Sequence, residues 1–312
     1  MLRPLPLLLL PALACAAVAC SSDGGTDDGR PVVAAAFYPL EEIARQVGGD
    51  AVRIVTLVPP GEEAHEYEPT PKQLTELEDA DVVLYLGKGF QPNIEKALES
   101  LPSSVQRVDL LDGLPLLDVT AQVPGSDGES EGESIDGGKD PHVWLSPVLM
   151  QQMSETARDT LGAVDAPAQA AFAANQSGFA ATLAALDSDF TAGLATCASR
   201  FLVSSHRAFG YLADAYDLTA VAIAGVSPTE EPSAKTLEAL ATFARDNDVA
   251  TIFFEENLPD DLAATLAAEV GAGTGVLDTL ESPSDDQRKA GEDYDSLMRA
   301  NLDALRIGLG CS

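Results

Sequence analysis

The sequence predicts an α/β protein of two lobes, each built on a mainly parallel sheet flanked by helices, with one long helix bridging the lobes. Two observations predict this fold class. In both halves of the chain, short apolar runs with strand character alternate with stretches of helical periodicity, which is typical of parallel sheets covered on both faces. Between the halves lies a longer helical pattern without proline.

The first half contains four predicted strands and three predicted helices. Thr70, Pro71 and Gln73 mark one helix start, because threonine can cap a first turn, proline fits its first position and glutamine can close the capping box. We expect strands at 32–37, 52–58, 82–86 and 105–108, and helices at 39–48, 70–79 and 92–100.

The bridging helix is predicted from 168 to 194. Its large apolar residues recur three, four or seven positions apart, which places them on one helical face: Phe172, Phe179, Leu183, Leu186, Phe190 and Leu194. At 1.5 Å per residue the helix would reach roughly 40 Å, enough to run along both lobes. A rigid helix between the lobes would limit hinge motion compared with a loop.

The second half repeats the alternation. Serine-proline pairs predict two further helix starts, one at Ser146-Pro147 before the bridging helix and one near Ser227-Pro228 in the second half. We expect strands at 201–203, 220–223, 251–254 and 275–277, and helices at 207–216, 232–247, 259–270 and 293–308.

The first twenty residues predict an export signal. Arg3 precedes an apolar run, Leu5 to Ala19, that is too short for a membrane-spanning helix. The run ends at Cys20 in a segment that resembles a bacterial lipobox, with Cys15 as a weaker alternative, so we expect an exported, lipid-anchored protein. The expected organisation is a signal peptide with lipobox at 1–20, a flexible tether at 21–30, an N-terminal lobe at 31–166, the bridging helix at 167–195 and a C-terminal lobe at 196–312.

The four cysteines predict one disulfide. If Cys15 leaves with the signal and Cys20 is lipidated, only Cys197 and Cys311 remain. An exported chain with two remaining cysteines usually pairs them. Zinc ligation by these two thiols is the alternative, but neither has a second cysteine nearby.

Acidic residues dominate the composition. A net charge of −32 at pH 7 argues against nucleic acid as a partner, because phosphates require a basic face. Residues 124–139 consist mainly of Gly, Ser, Asp and Glu, and we expect a disordered insertion at the mouth of any site near His142. A solvated insertion is favoured over a metal-gathering role, because carboxylates alone hold zinc weakly.

Three histidines, His65, His142 and His206, are the only ones in the chain, and each lies among turn-forming or strand-end residues. Loops at strand ends are where α/β proteins build their sites, and neutral imidazole is the commonest protein ligand for transition metals. Their wide separation in sequence excludes a zinc finger or an HExxH helix. We therefore predict one metal site in a cleft, most favourably for zinc, with three unrelated packed or exposed histidines as the alternative.

Seven short segments occur in a distinctive order along the chain. They are Phe37-Tyr38-Pro39-Leu40, Leu57-Val58-Pro59-Pro60-Gly61 leading to His65, Asp140-Pro141-His142-Val143-Trp144, Ser205-His206-Arg207-Ala208-Phe209-Gly210-Tyr211, Pro232-Ser233, Ile252-Phe253-Phe254-Glu255, and Tyr294 to Asn301. In this order they resemble the cluster A-I metal-binding receptors of bacterial ABC transporters, the zinc- and manganese-uptake family. The similarity runs from about residue 31 to the C-terminus.

The resemblance implies two α/β lobes bridged by one long helix and a metal site between them. It assigns His65 and His142 to the N-terminal lobe and His206 to the C-terminal lobe. It suggests Asp278, just after the last strand, as the fourth ligand, although Thr279 stands where the family usually has proline. Glu63 or a water molecule is the alternative fourth ligand, and capping of a turn is the alternative role for Asp278.

The third histidine favours zinc over manganese. Manganese-type members commonly carry glutamate at the position of His206, and three nitrogens with one carboxylate suit a tetrahedral Zn²⁺ shell. The acidic loop before His142 lacks the histidines that zinc receptors often carry. A manganese or iron receptor of the same family is therefore the alternative.

The resemblance implies a binding protein and not an enzyme. It would capture Zn²⁺ outside the membrane and deliver it to an ABC permease and its ATPase, acting as a monomer without a nucleic-acid partner. A zinc hydrolase with Glu66 or Glu255 as base is one rival, although the chain has no HExxH or nucleophile pattern. A surface adhesin is the other, and it predicts macromolecular binding that survives loss of all three histidines.

Overall fold

The computed structural model describes residues 29–119, 138–229, 232–256 and 261–312. The predicted signal peptide with Cys20, most of the tether 21–30 and nearly all of the acidic segment 124–139 lie outside these ranges. Among the helices of the described residues, none is both long enough and apolar enough to cross a membrane.

The first sheet is parallel throughout. Its strands are β1 (Val32–Ala35), β2 (Arg53–Thr56), β3 (Val82–Tyr85) and β4 (Gln106–Asp109), in the order β2-β1-β3-β4. The connecting helices are α1 (Tyr38–Gly48), α2 (Pro71–Glu78) and α3 (Pro92–Glu99). The predicted capping box at Thr70 and Gln73 is present at the start of α2. The two central strands, β1 and β3, are continuous apolar runs that are largely buried, as expected for a parallel sheet covered on both faces, whereas the edge strands β2 and β4 are more polar and partly exposed.

Two long helices follow the first sheet. Ser146 caps α4 (Pro147–Val164) by accepting a hydrogen bond from Leu149 N, as the serine-proline pair predicts. The next helix, α5 (Gln169–Gly193), spans 25 residues and is therefore about 38 Å long. It buries five residues of the predicted apolar face: Phe172, Phe179, Leu183, Leu186 and Phe190.

The second sheet has the same strand order as the first. Its parallel strands are β5 (Phe201–Ser204), β6 (Thr219–Ala222), β7 (Thr251–Glu255) and β8 (Gly273–Leu277), in the order β6-β5-β7-β8. Its helices are α6 (Gly210–Ala215), α7 (Ala234–Asp246), α8 (Asp261–Val270), α9 (Asp285–Ala290) and α10 (Tyr294–Gly308). Helix α5 packs against α1 and α4 of one lobe and α10 of the other, and the predicted fold class is confirmed.

Two local predictions in the second lobe differ from the structure. The helix start predicted at Ser227 is wrong, because the Ser227 hydroxyl accepts a hydrogen bond from Thr229 N in a local turn. Ser233 caps α7 instead, accepting from Thr236 N. Helix α6 begins at Gly210, later than predicted, and α9 was not predicted.

The predicted disulfide is confirmed. Cys197, shortly after α5, is bonded to Cys311, shortly after α10, across a sequence separation of 114 residues. The bond therefore ties the end of the bridging helix to the end of the last helix.

Candidate metal centre

The three histidines converge where strands of both sheets end. His65 lies in the loop between β2 and α2, His142 lies before α4, and His206 follows β5. The ring centroids are 5.4 Å apart for His65 and His142, 5.4 Å for His142 and His206, and 5.9 Å for His65 and His206. His65 is 4% exposed and the other two are 0% exposed. The structure thus brings together the three residues that the sequence assigned to one cleft.

A fourth side chain, Glu281, completes the cluster from the loop after β8. Its Oε2 lies 3.6 Å from His65 Nε2, while its Oε1 lies 3.8 Å from His142 Nε2 and 3.7 Å from His206 Nε2. One potential ligand atom from each residue lies within 4.8 Å of the others. A tetrahedral zinc ion with bonds of about 2.0–2.2 Å holds its ligand atoms about 3.4 Å apart, so small movements would close all four around one ion.

Four buried polar atoms at this point lack a hydrogen-bond partner among the described residues. They are Oε1 of Glu281 and Nε2 of His65, His142 and His206. An unsatisfied buried polar atom costs about 1–3 kcal/mol, and folded proteins retain few of them. A shared cation would satisfy all four atoms, which makes the cluster a candidate metal centre.

Asp278, the fourth ligand suggested by the sequence, does not join the cluster. Its Oδ1 accepts a hydrogen bond from Leu280 N at 2.7 Å, and its Oδ2 accepts one from Gln287 Nε2 at 2.7 Å. One oxygen is therefore committed to the turn that carries Glu281, and the other to Gln287 of α9. In the structure Glu281 occupies the place predicted for Asp278.

Glu63, the alternative fourth ligand, is also engaged elsewhere. Its Oε1 accepts from His65 N at 2.8 Å and its Oε2 accepts from Glu66 N at 2.9 Å. The carboxylate thus fixes the backbone of the loop that presents His65. Glu63 therefore helps to hold this loop in place but contributes no ligand atom to the cluster.

Glu281 was not predicted from the sequence. It is one of 50 acidic residues in the chain and has no distinctive motif around it. Its position three residues beyond Asp278, in the loop that leaves a strand of the second sheet, is the one signal that could have indicated it.

Two further carboxylates stand behind the histidines. Asp140 Oδ1 lies 2.8 Å from His142 Nδ1 and accepts from His142 N at 2.9 Å. Glu255 Oε1 lies 2.7 Å from His206 Nδ1 and accepts from His206 N at 3.1 Å. A carboxylate at Nδ1 favours the tautomer whose Nε2 lone pair points toward the metal. His65 instead lies edge-on to Phe90, with ring centroids 4.6 Å apart.

Burial and the neighbouring charges act in opposite directions on the pKa values of the cluster. Burial lowers the pKa of His142. Burial also opposes a charged His206, but Glu255 outweighs it and raises the pKa of His206 to about 9. Burial alone would raise the pKa of Glu281, yet the three neighbouring histidines lower it to about 2. Before metal binds, Glu281 is therefore ionised and His206 carries a proton at neutral pH.

The loop that carries Glu281 is bound to the first lobe on both sides of this residue. Trp144 Nε1 donates to the carbonyl oxygen of Thr279 at 2.7 Å, and Ser282 Oγ donates to the carbonyl oxygen of Pro59 at 2.7 Å. The fourth side chain of the cluster is thus held by contacts between the lobes. The two lobes are therefore closed around the cluster.

The cluster favours binding over catalysis. With four ligand atoms directed at one centre, no coordination position remains for a substrate or an activated water molecule. Both residues nominated as a general base are engaged, since Glu255 supports His206 and Glu66 Oε1 accepts from Thr229 Oγ1 at 3.1 Å.

Replacing Glu255 with glutamine is expected to weaken zinc binding by about 10- to 100-fold, the usual effect of removing a carboxylate behind a metal-bound histidine. Competition with a zinc chelator measures the change. Glu238→Gln, which alters an exposed carboxylate on α7, is the matched control. Equal affinities for both variants would contradict the assigned role of Glu255.

Comparison with known proteins finds the same family by sequence and by structure. The profile of the family described as "Zinc-uptake complex component A periplasmic" matches residues 33–308. The zinc-binding lipoprotein AdcA of Streptococcus pneumoniae TIGR4 is 37% identical over 305 residues, covering 96% of this chain. The high-affinity zinc uptake system protein ZnuA of Bacillus subtilis 168 is 34% identical over 305 residues, covering 95% of this chain and 94% of that protein.

A solved structure gives the same result. The crystal structure of the Zn(II)-bound ZnuA-like domain of Streptococcus pneumoniae AdcA superposes with a TM-score of 0.75 at 36% identity, covering 90% of this chain and 99% of that one. The chain spans 60% of the length of full AdcA, so the similarity concerns that part of AdcA.

Proposed function

Because this chain belongs to the zinc-uptake complex component A family, we propose that it is an extracytoplasmic receptor that captures Zn²⁺ and delivers it to an ABC-transporter permease with its ATPase. The observation that carries the proposal is the convergence of four otherwise unsatisfied buried atoms on one point. The proposed ligands are His65, His142, His206 and Glu281. The protein would be a binding protein and not an enzyme.

The donor set supports zinc as the cargo. Three imidazole nitrogens and one carboxylate oxygen, placed closely enough for a tetrahedron, match the preference of Zn²⁺. Manganese favours more oxygen donors and a larger coordination number. The relatives named above carry zinc in their names, which also supports zinc. A manganese receptor of the same family is the alternative.

The charges around the site also favour a divalent cation. Zn²⁺ and the ionised Glu281 together leave a charge of about +1, and the buried carboxylates of Asp140 and Glu255 lie behind the ligating histidines. Two buried negative charges offset the remaining positive charge at short range. With these two carboxylates the charges sum to about −1, so capture would place the ion in a closed site that more than offsets its charge.

The proposed location is the outer face of the cytoplasmic membrane, with Cys20 as the lipidated residue. The lipobox-like segment before Cys20 and the name lipoprotein given to AdcA support this proposal. Mass spectrometry of the membrane-extracted protein tests it. A Cys20→Ala variant that still carries the lipid would contradict it.

The test of the function is metal competition on the metal-free protein with zinc, manganese, iron and copper. We expect one tightly bound zinc equivalent, weak manganese binding and loss of tight binding in His206→Ala. Tight manganese with looser zinc would assign the protein to manganese uptake. Absence of any stoichiometric metal would overturn the receptor function.

Zinc affinity is expected to rise with pH between about 7 and 9. His206 has a pKa of about 9 and must lose its proton before it can ligate, so protons compete with zinc below that pH. Glu281, with a pKa of about 2, stays ionised throughout. Chelator competition at several pH values should give up to a tenfold gain per pH unit, and a flat profile would contradict the assignment of His206 as a ligand.

A further inference from the structure

A small cavity lies directly beside the metal centre. Its volume is about 110 Å³, and residues of both lobes line it, which is enough space for a cation with a few water molecules. Six carboxylate side chains contribute to its wall: Glu62, Glu63, Glu255, Glu256, Asp278 and Glu281. Glu62 and Glu256 are exposed, so the cavity reaches the protein surface where these two residues line it.

The cavity touches the cluster on one side. Of the four proposed ligands, Glu281 lines the cavity and the three histidines do not. The Glu281 side chain is 9% exposed, and its Oε1 is buried without a hydrogen-bond partner among the described residues. Because Glu281 is the one proposed ligand that lines the cavity, an ion arriving through it meets the Glu281 carboxylate before it reaches a nitrogen.

Three other carboxylates of the wall are already committed to hydrogen bonds or ion pairs. Glu63 binds two backbone N–H groups, Asp278 binds Leu280 N and Gln287 Nε2, and Glu255 supports His206.

Glu62 and Glu256 remain available at the outer part of the cavity. Neither side chain has a hydrogen bond or ion pair with another described residue. Burial raises the pKa of Asp278, the hydrogen bonds from Leu280 and Gln287 oppose this rise, and the nearby charges of Glu256 and Glu281 add to it.

We propose that this cavity is the access chamber for the metal, in which Glu62 and Glu256 hold the partly hydrated divalent cation before the Glu281 carboxylate transfers it to the three histidines. The proposal rests on the proposed function and adds the route by which the ion reaches a buried site. Carboxylates in a cleft raise the local cation concentration and the association rate. Oxygen donors can also replace the water of the ion stepwise before the imidazoles bind.

Stopped-flow kinetics of zinc binding to the metal-free protein tests the route. A low-affinity fluorescent indicator reports free Zn²⁺ during association, and an excess of chelator gives the dissociation rate. The test variants are the double change Glu62→Gln with Glu256→Gln, which removes the two outer charges, and Thr279→Phe, which narrows the cavity. The control is Glu99→Gln at the exposed end of α3. Glu99 lies shortly before β4 begins, so this change removes one charge near the starts of the strands, whereas the metal centre lies where the strands end.

The charge variant is expected to lower the association rate constant by about three- to tenfold at low ionic strength, with a smaller effect at high salt. Thr279→Phe is expected to slow association and dissociation by similar factors, because a narrower route hinders passage in both directions. Glu99→Gln should retain the rates of the unmodified protein. Unchanged rates in the charge variant, at an intact zinc stoichiometry, would overturn the access chamber, whereas loss of stoichiometric zinc in the unmodified protein would overturn the receptor function itself.

Discussion

Replacing Glu281 with alanine is expected to raise the Kd for zinc by more than about 100-fold. Structural zinc sites with four ligands bind with about 10–16 kcal/mol, so loss of one ligand corresponds to about 3 kcal/mol. Glu281 is also the single carboxylate in the cluster, and its removal leaves the ion with three neutral ligands. Chelator competition or calorimetry measures the change.

Asp278→Asn is the matched comparison, since Asp278 is the ligand that the sequence suggested. Asparagine retains an oxygen that can accept from Leu280 N, and the turn that carries Glu281 therefore survives in part. We expect a loss of zinc affinity of less than about tenfold, because a disturbed turn displaces a ligand without removing it. If Asp278→Asn costs as much as Glu281→Ala, the assignment of Glu281 as the fourth ligand is wrong.

The second large effect concerns the disulfide. Replacing Cys197 and Cys311 together with serine is expected to lower the free energy of unfolding by roughly 5 kcal/mol on the chain-entropy account, because the bond spans 114 residues of sequence. Urea denaturation of the metal-free protein, followed by circular dichroism, measures the loss.

The unmodified protein treated with a reducing agent provides the control and should unfold at the same urea concentration as the double variant. Zinc stoichiometry should remain one, because neither cysteine contributes an atom to the cluster. A change in unfolding free energy below about 1 kcal/mol would contradict the entropic role assigned to the bond.

The strands and most of the helices could be predicted because their signals are local. Continuous apolar runs such as Val82–Tyr85 indicate strands buried on both faces, and the spacing of Phe172, Phe179 and Leu183 indicates the buried face of α5. The helix start at Ser227 failed because the same serine can cap a helix or close a turn. Local sequence does not separate these two uses, and contacts with distant residues decide between them.

The two α/β lobes, the bridging helix, the cysteine pair and the three histidine loops could be predicted, because periodicity and turn residues report local burial and chain direction. The fourth member of the cluster could not be predicted, because it depends on how the chain folds around the site. Asp278 and Glu281 are three residues apart, and the choice depends on a turn in which Leu280 adopts a positive φ of 57°. Hydrogen bonds from Leu280 and Gln287 occupy Asp278, and contacts with the opposite lobe hold the loop so that Glu281 faces the histidines. Those contacts join residues more than one hundred positions apart in sequence, so no local pattern in the chain encodes them.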